Sequence, residues 1–207
     1  MSDDKKYEVL YRESLFQGFF RVDRLHIRQE LYDGSWSEPF SREVFDGGKN
    51  IVVGLLFDPY QDKVVLVEQF RAGPLPHNDD PFLLEVVAGI VEAGEDSQTS
   101  ICRETFEETS CEALAVQKIF SYYNSPGCSS QHTDLYVIHV RAPEDGTICG
   151  LAEEGEYIRV HVIDAMRAIN LLYAGQIRNA STLIAMQWFA LHHTDLRSRW
   201  LVRKTGS

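Results

Sequence analysis

The sequence predicts an α+β fold, a mixed sheet with helices, preceded by a small N-terminal antiparallel β-domain. Segments of strand character fill the first fifty residues. Continuous apolar runs follow at residues 51–57 and 64–67, as expected of buried strands. Helical segments are interspersed with strands without strict alternation, which favours an α+β fold or a mixed-sheet sandwich.

The N-terminal domain is predicted to span residues 1–48. Asp33-Gly34 is a turn signal between segments of strand character at 25–27 and 38–44, which predicts a β-hairpin. The glycine pair that ends at Gly48 marks the boundary with a second domain, predicted to span residues 49–207.

The second domain begins with the two apolar runs, joined by a turn that contains Pro59. A third strand is predicted at residues 82–87, and a helix over 97–109. Further strands are predicted at residues 115–123, 134–141 and 157–162.

Two helices are predicted to close the chain. The first begins after Asp164, an N-cap candidate, and stops at Gly175, a candidate for the residue just past the C-cap. The second begins after Ser181 and carries an apolar face at helical spacing.

The composition excludes several functional classes. The chain has 207 residues and a net charge of −11 at pH 7, which argues against nucleic acid and against an anionic membrane surface. We expect no targeting segment, and no apolar stretch approaches the ~20 residues that a membrane helix requires. The four cysteines form no C-x-x-C pair, which argues against structural zinc and suits a reducing cytoplasm.

The predicted helix over 97–109 carries a row of glutamates. On a helical wheel its predicted buried face is distinct from an adjacent acidic arc. The buried face consists of Ile101, Cys102, Thr105, Phe106 and Thr109; the acidic arc consists of Glu104, Glu107 and Glu108.

A solvated charged face is the ordinary interpretation of such an arc, but it predicts basic partners four residues on. Only Arg103 and Glu107 form such a pair, whereas Glu104 and Glu108 repel each other by roughly 0.2–0.5 kcal/mol. A self-repelling row is better explained by a hard divalent cation, because Mg²⁺ and Mn²⁺ prefer carboxylate oxygens.

The segment 89–111 resembles the Nudix box, a Gly, five residues, a Glu, seven residues, then Arg-Glu-U-x-Glu-Glu-x-Gly-U, where U is aliphatic. Six fixed positions match, a coincidence expected by chance about once in 100,000 chains of this length. They are Gly89, Glu95, Arg103, Glu104, Glu107 and Glu108. Three positions depart from the pattern, namely Thr105, Ser110 and Cys111. A glycine at position 110 would take a left-handed cap conformation, which costs serine about 1 kcal/mol.

The resemblance implies a Nudix-type α/β/α sandwich and the hydrolysis of a nucleoside diphosphate linked to another group. It implies that Glu104 and Glu108 bind metal, helped by the main-chain carbonyl of Ala88, with Glu107 as an additional ligand. It also implies an orienting salt bridge between Arg103 and Glu95.

Within the family the chain is most similar to bacterial ADP-ribose pyrophosphatases. Pro126, in Ser125-Pro126-Gly127, lies 126 − 110 = 16 residues past Ser110, as in those enzymes. An acidic loop, Glu153-Glu154-Gly155-Glu156, stands where theirs closes over the diphosphate. The resemblance implies that Glu154 is the catalytic base, that Glu156 binds metal and that Glu108 belongs to the catalytic set. The alternatives are an ordinary turn and a solvated acidic loop.

The same resemblance implies a set of substrate-binding residues. Arg71 is expected to contact phosphate, and the aromatic pair Phe19 and Phe20 to stack on adenine across a homodimer with exchanged N-terminal strands. The alternatives are a surface ion pair for Arg71 and core packing for the phenylalanines. Gln131 replaces a glutamate that contacts the ribose in many relatives. The full set is Phe19, Phe20, Arg42, Arg71, Ile90, Ser125, Pro126, Gly127 and Gln131.

The expected function is Mg²⁺-dependent hydrolysis of ADP-ribose to AMP and ribose 5-phosphate, with Mn²⁺ as a substitute, in a cytoplasmic homodimer. One alternative is a Nudix hydrolase of another nucleoside diphosphate sugar, such as GDP-mannose or ADP-glucose. A second is a nucleotide sensor without hydrolysis, which the retention of the box carboxylates disfavours.

Overall fold

The computed structural model describes residues 6–202, apart from the side chain of Glu154. Contacts divide the chain into two compact units. The first holds the chain up to Asn50 together with Tyr122–Thr133, and the second holds Ile51–Ser121 together with the chain from Asp134 onward. The domain boundary after residue 48 and the dimer-forming role of the first domain stay predictions.

The first unit is built on a three-stranded antiparallel sheet, in the order β1 (Tyr7–Gln17), β2 (Arg21–Gln29), β3 (Phe40–Asp46). The hairpin predicted around Asp33-Gly34 is confirmed as the connection between β2 and β3. Backbone hydrogen bonds from Phe45 to the Cys128 carbonyl, 2.8 Å, and from Ser130 to the Phe45 carbonyl, 3.0 Å, hold the later segment in this unit.

The second unit contains a mixed sheet with helices packed on it, so the predicted α+β class is confirmed. The strands are β4 (Ile51–Asp58), β5 (Lys63–Phe70), β6 (Phe82–Glu85), β7 (Val87–Ile90), β8 (Ala115–Tyr123), β9 (His132–His139), β10 (Ile148–Cys149) and β11 (Ile158–Asp164). Their order in the sheet is β10-β11-β5-β4-β9-β8, with β6 paired to β5 and β7 paired to β4. The helices are α1 (Ser97–Thr109), α2 (Ala165–Tyr173) and α3 (Ala180–Val202), with short 3-10 helices at Leu75–His77 and Ala152–Glu154.

Strand β4 lacks polar side chains from Ile51 to Phe57 because both of its faces are covered. Val52 and Leu56 belong to one buried cluster with Ile101 of α1. Phe57 contacts Phe189 of α3, with ring centroids 5.1 Å apart. Helices on both sides thus make the layered α/β/α arrangement, and the continuous apolar run records burial on two faces.

Two element boundaries differ from the prediction. The strand predicted at 82–87 is two strands, because the backbone N–H of Val86 donates to the Thr182 hydroxyl, 3.0 Å, instead of joining a ladder. Helix α3 begins two residues earlier than predicted, because the Asn179 side chain, not Ser181, accepts the capping hydrogen bond from Thr182 N–H, 2.9 Å.

The end of α1 confirms the expectation for Ser110. This residue has φ 58° and ψ 18°, the left-handed conformation that the family's glycine takes at lower cost. Serine there costs about 1 kcal/mol of stability relative to glycine. The departure from the box pattern therefore affects the helix end and leaves the carboxylates unchanged.

Among the described residues, all four cysteines are free thiols. Of the helices within residues 6–202, none combines the length and the apolar composition needed to cross a bilayer.

Candidate active site

The glutamate row of α1 faces β7. Asp96 starts the helix by accepting hydrogen bonds from the backbone N–H groups of Gln98 and Thr99, at 2.9 and 3.0 Å. Glu108 is 1% exposed, and its Oε2 accepts a hydrogen bond from the Ala88 N–H at 3.2 Å. Its Oε1 has no hydrogen-bond partner among the described residues. A buried carboxylate oxygen without a donor is costly unless another ligand satisfies it.

The buried face of α1 is rotated toward the glutamates, so part of the wheel prediction is wrong. Ile101, Thr105 and Thr109 are buried as predicted, but Phe106 is 59% exposed and Glu108 takes its place inside. The helix turns this way because β7 offers a backbone N–H that a carboxylate can use.

The Glu104 side chain occupies the space that a side chain at position 89 would need. A Cβ at position 89 would lie 2.0 Å from both Cδ and Oε1 of Glu104, closer than atoms can approach. The first glycine of the box thus forms a cradle for the first carboxylate of the row.

Arg103 holds three of the carboxylates together. It contacts Glu95 at 3.2 Å, Glu104 at 2.9 Å and Glu107 at 2.8 Å. The salt bridge expected between Arg103 and Glu95 is present, and Ser100 also donates its hydroxyl to Glu95 at 2.6 Å. These bonds from Arg103 and Ser100 lower the pKa of Glu95. The glutamates of the row repel one another less than the sequence indicated, because the Arg103 guanidinium pairs with three carboxylates.

Glu104, despite its contact with Arg103, and Glu108 stay electrostatically unfavourable as carboxylates. Burial raises the pKa of Glu104 to about 7, although Arg103 acts in the opposite direction. Burial raises the pKa of Glu108 well above its ordinary value, and the charges of Glu156 and Glu104 add to the effect. Both side chains would ionise more readily beside a cation.

These observations fit a divalent metal ion, since the site combines an unpartnered buried oxygen, a glycine cradle and carboxylates whose charges need compensation. No three His, Cys, Asp or Glu side chains converge as a complete metal site within the described residues. The Ala88 carbonyl is a main-chain group and so is not one of these side chains, and the Glu154 side chain lies outside the described residues.

The acidic loop is fixed to α1 by Gly150. Its N–H donates to the Glu107 carbonyl at 3.3 Å, and its φ of +99° belongs to the region that favours glycine. A Cβ there would lie 2.9 Å from the Glu156 Cβ. The loop therefore carries Glu156 toward the glutamate row, where its charge acts on Glu104 and Glu108. Glu154 ends the helix Ala152–Glu154, and its side chain lies outside the described residues.

Arg71 lies just past β5. Its Nε and Nη2 reach one oxygen of the buried Glu85 at 3.0 and 2.9 Å. Burial raises the pKa of Glu108, and the charge of Arg71 partly opposes that rise, so the guanidinium lies within electrostatic reach of this carboxylate. Ile90 ends β7, and its carbonyl accepts a hydrogen bond from Arg103 at 3.4 Å.

The other predicted substrate residues belong to the first unit. Phe19 is 83% exposed, so core packing is wrong for this residue, and its ring meets that of Phe20 edge-on with centroids 4.8 Å apart. An open cavity of about 600 Å³ in this unit is lined by Phe19, Phe20, Arg21, Asp46, Lys49 and Ser130.

The loop of the first unit contains four more predicted residues. Pro126 and Gly127 form a turn, and Ser125 accepts the backbone N–H groups of Cys128 and Ser129. The Gln131 side-chain oxygen accepts a hydrogen bond from Asn124 at 2.7 Å. Arg42 lies apart on β3, where its guanidinium covers the Phe40 ring at 4.7 Å.

Sequence reasoning missed four residues that support the site, namely Glu85, Ser100, Gly150 and Asn179. Glu85, Ser100 and Asn179 act on another side chain, and Gly150 acts on the Glu107 main-chain carbonyl, through contacts that no spacing in the sequence encodes. Gly150 alone had a local signal, since an isolated glycine before an acidic loop often marks a left-handed residue.

We expect Gly89→Ala to lower kcat/KM about 10- to 100-fold by displacing Glu104, since misplacing a reactive group by about 1 Å has effects of that size. Steady-state kinetics across a Mg²⁺ titration measures the loss. Gly73→Ala is the matched control, because a Cβ at Gly73 meets open space. Equal activity of the two variants would show that the Glu104 cradle is unimportant.

Comparison with known proteins agrees with this geometry. A model of the NUDIX domain matches residues 48–192. The ADP-ribose pyrophosphatase of Escherichia coli strain K12 is 39% identical over 193 residues, which cover 93% of this chain and 92% of that protein. The GDP-mannose pyrophosphatase of Salmonella typhimurium is 31% identical over 153 residues, 73% of this chain and 78% of that protein. The crystal structure of an ADP compounds hydrolase shares the fold, with a TM-score of 0.65 at 16% identity over 97% of this chain and 96% of that one. The chain therefore belongs to the Nudix family.

Proposed function

We propose that this protein hydrolyses the diphosphate of ADP-ribose, releasing AMP and ribose 5-phosphate. The observation that carries the reaction class is the buried Oε1 of Glu108, which has no partner among the described residues and lies in a row of carboxylates beside Arg71. The choice of substrate is supported by the 39% identity to an ADP-ribose pyrophosphatase over nearly the whole chain.

Nudix ADP-ribose pyrophosphatases depend on a divalent metal ion, and for this protein we propose Mg²⁺, with Mn²⁺ as a substitute. Glu104, Glu108 and the Ala88 carbonyl would hold it, with Glu156 and Glu107 as further ligands. Arg103 already contacts one oxygen of Glu107 at 2.8 Å and one of Glu104 at 2.9 Å, which leaves the other oxygen of each for the ion. The ion supplies neutralisation of the diphosphate charge and activation of water.

The chain's own residues bind and orient the reactants. Arg71 clamps the diphosphate oxygens, for which the planar fork of a guanidinium is well suited. Glu154 acts as the base that activates or orients the attacking water. The water adds to phosphorus while a phosphoanhydride P–O bond breaks, so that each product leaves with one phosphate.

The first unit supplies the proposed contacts to the nucleotide. Phe19 and Phe20 present exposed rings, and stacking of adenine on such a ring contributes about 1–3 kcal/mol. Arg42, Ile90, Ser125, Pro126, Gly127 and Gln131 complete the proposed substrate contacts.

We further propose a homodimer that exchanges its N-terminal strands. Every residue of β1 is exposed, and this edge strand carries Tyr7, Tyr11 and Phe16 among its uncovered side chains. An uncovered edge strand of 11 residues that exposes several apolar side chains invites pairing with another chain. Light scattering in solution measures the oligomeric state.

The free thiols of the described cysteines support a reducing, cytoplasmic location.

GDP-mannose is the second candidate substrate, because a GDP-mannose pyrophosphatase is 31% identical to the chain. Gln131 supports this second candidate, since an amide can accept a hydrogen bond from ribose but lacks the negative charge of a glutamate.

A substrate panel tests the proposal. With Mg²⁺, we expect ADP-ribose to be hydrolysed with at least tenfold higher kcat/KM than GDP-mannose or ADP-glucose, which corresponds to about 1.4 kcal/mol. Product AMP is measured by chromatography, and EDTA is expected to stop the reaction. A preference for GDP-mannose would select the alternative, whereas nucleotide binding without turnover of any member would indicate a sensor.

A further inference from the structure

Glu85 holds Arg71 from inside the protein. The Glu85 side chain is 3% exposed, and its Oε2 accepts both the Nε and the Nη2 contacts of Arg71. These contacts leave the Nη1 edge of the guanidinium for another anion. The orientation of this buried carboxylate therefore fixes the Nε and Nη2 side of the Arg71 guanidinium.

Asn179 fixes that carboxylate from the far end of the sequence. Its Nδ2 donates to Glu85 Oε1 at 2.8 Å, so each oxygen of Glu85 has its own donor. Its Oδ1 accepts from the N–H and the hydroxyl of Thr182, at 2.9 and 3.0 Å. The Asn179 amide thus caps α3 with its oxygen and orients Glu85 with its nitrogen. These contacts at both ends of the amide fix the rotamer of Asn179.

The hydrogen bonds of the Asn179 side chain allow only one orientation of its amide. Asn179 can serve both partners only with its oxygen toward the helix and its nitrogen toward Glu85. Without that nitrogen, Glu85 Oε1 would be a buried anionic oxygen without a donor, and it would turn to seek one. Turning Glu85 moves the oxygen that holds Arg71.

We infer that Asn179 is a positioning residue for substrate, acting through Glu85 to aim the Arg71 guanidinium at the diphosphate. The inference rests on the proposed role of Arg71 in binding the diphosphate. It extends that role to two residues that touch no substrate atom.

Asn179→Asp tests the inference with the smallest change. Aspartate keeps the oxygen that caps α3, so the helix is retained, but it replaces the donor toward Glu85 with a second anion. We expect KM for ADP-ribose to rise about tenfold or more with a smaller change in kcat, because the diphosphate clamp is misaligned before and during reaction. Asn179→Ser, which also caps a helix but adds no charge, is expected to show a milder rise.

A swap of the two groups is the decisive control. Glu85→Gln combined with Asn179→Asp restores the hydrogen bond between the two positions with its direction reversed and keeps the bonds from Arg71 and Thr182 as they are. The new amide nitrogen at position 85 donates to the new carboxylate at position 179, and its oxygen accepts from Arg71. We expect the double variant to recover most of the KM, although Glu85→Gln alone and Asn179→Asp alone both raise it. A residue needed only for helix stability would not be rescued by a change at position 85.

Two further measurements separate this inference from the proposed function. Calorimetry with ADP measures diphosphate binding without turnover, and Asn179→Asp is expected to weaken it by a similar factor. In an Arg71→Ala background, Asn179→Asp is expected to have no further effect.

Wild-type KM and ADP affinity in Asn179→Asp would overturn the inference while ADP-ribose hydrolysis stands. A loss of melting temperature that the swap does not repair would overturn it as well, because Asn179 would then be structural only. Failure of the wild-type protein to hydrolyse any sugar nucleotide would instead refute the proposed function, and the ADP affinities would still decide the role of Asn179.

Discussion

Glu108→Gln is expected to reduce kcat on ADP-ribose by at least about 10³-fold while the fold is retained. Such a loss corresponds to about 4 kcal/mol of transition-state stabilisation, within the range for loss of a metal ligand. Glutamine has the same shape and can still accept the Ala88 hydrogen bond. It removes a buried charge that the protein stabilises poorly, so the metal-free melting temperature is expected to stay equal or rise.

Two measurements accompany this variant. Glu112→Gln is the matched control, because it makes the same chemical change at an exposed position four residues later. Mg²⁺ is expected to raise the melting temperature of the wild-type protein and of Glu112→Gln but not of Glu108→Gln, since only a folded-state ligand site gives that linkage. Wild-type kcat in Glu108→Gln would remove Glu108 from the proposed metal site.

The location of the site was predictable from the sequence because the Nudix box is a local pattern. Its spacing set helix α1 at 97–109, which is where the helix lies. The strands on either side were predictable for a similar reason, since burial on two faces leaves an uninterrupted apolar run such as that of β4.

The orientation of α1 was not predictable from the helix alone. A helical wheel considers only the helix's own side chains, and it placed Phe106 inside and Glu108 beside the buried face. The deciding groups are the Ala88 N–H and the empty space at Gly89, which belong to a different strand.

Contacts between distant segments explain the other differences. The break in the predicted strand at 82–87 depends on the Thr182 hydroxyl, 96 residues away. The buried partner of Arg71 depends on Asn179, which lies 94 residues from Glu85. No pattern within either segment indicates these pairings.

The second large effect is expected on the pH dependence of folding stability. In EDTA, the free energy of unfolding is expected to fall as pH rises from about 4.5 to about 7. Glu104 has a pKa of about 7 in the folded protein and 4.5 as its ordinary value, with burial as the main cause. In that window the folded state holds a proton that the unfolded state has released, so stability is full below the lower value and is lost toward the upper one. The shift corresponds to roughly 3 kcal/mol.

Mg²⁺ is expected to reverse this dependence. Its carboxylate ligands must be ionised, so the stabilisation it provides grows as pH rises through the same window. Urea unfolding at pH 5, 6, 7 and 8, with EDTA or with Mg²⁺, measures both slopes. Glu104→Gln has no proton to release at this position and is expected to show a flatter profile in EDTA. If the wild-type and Glu104→Gln profiles are parallel in EDTA and Mg²⁺ changes neither, Glu104 is an ordinary surface glutamate and the row does not bind metal.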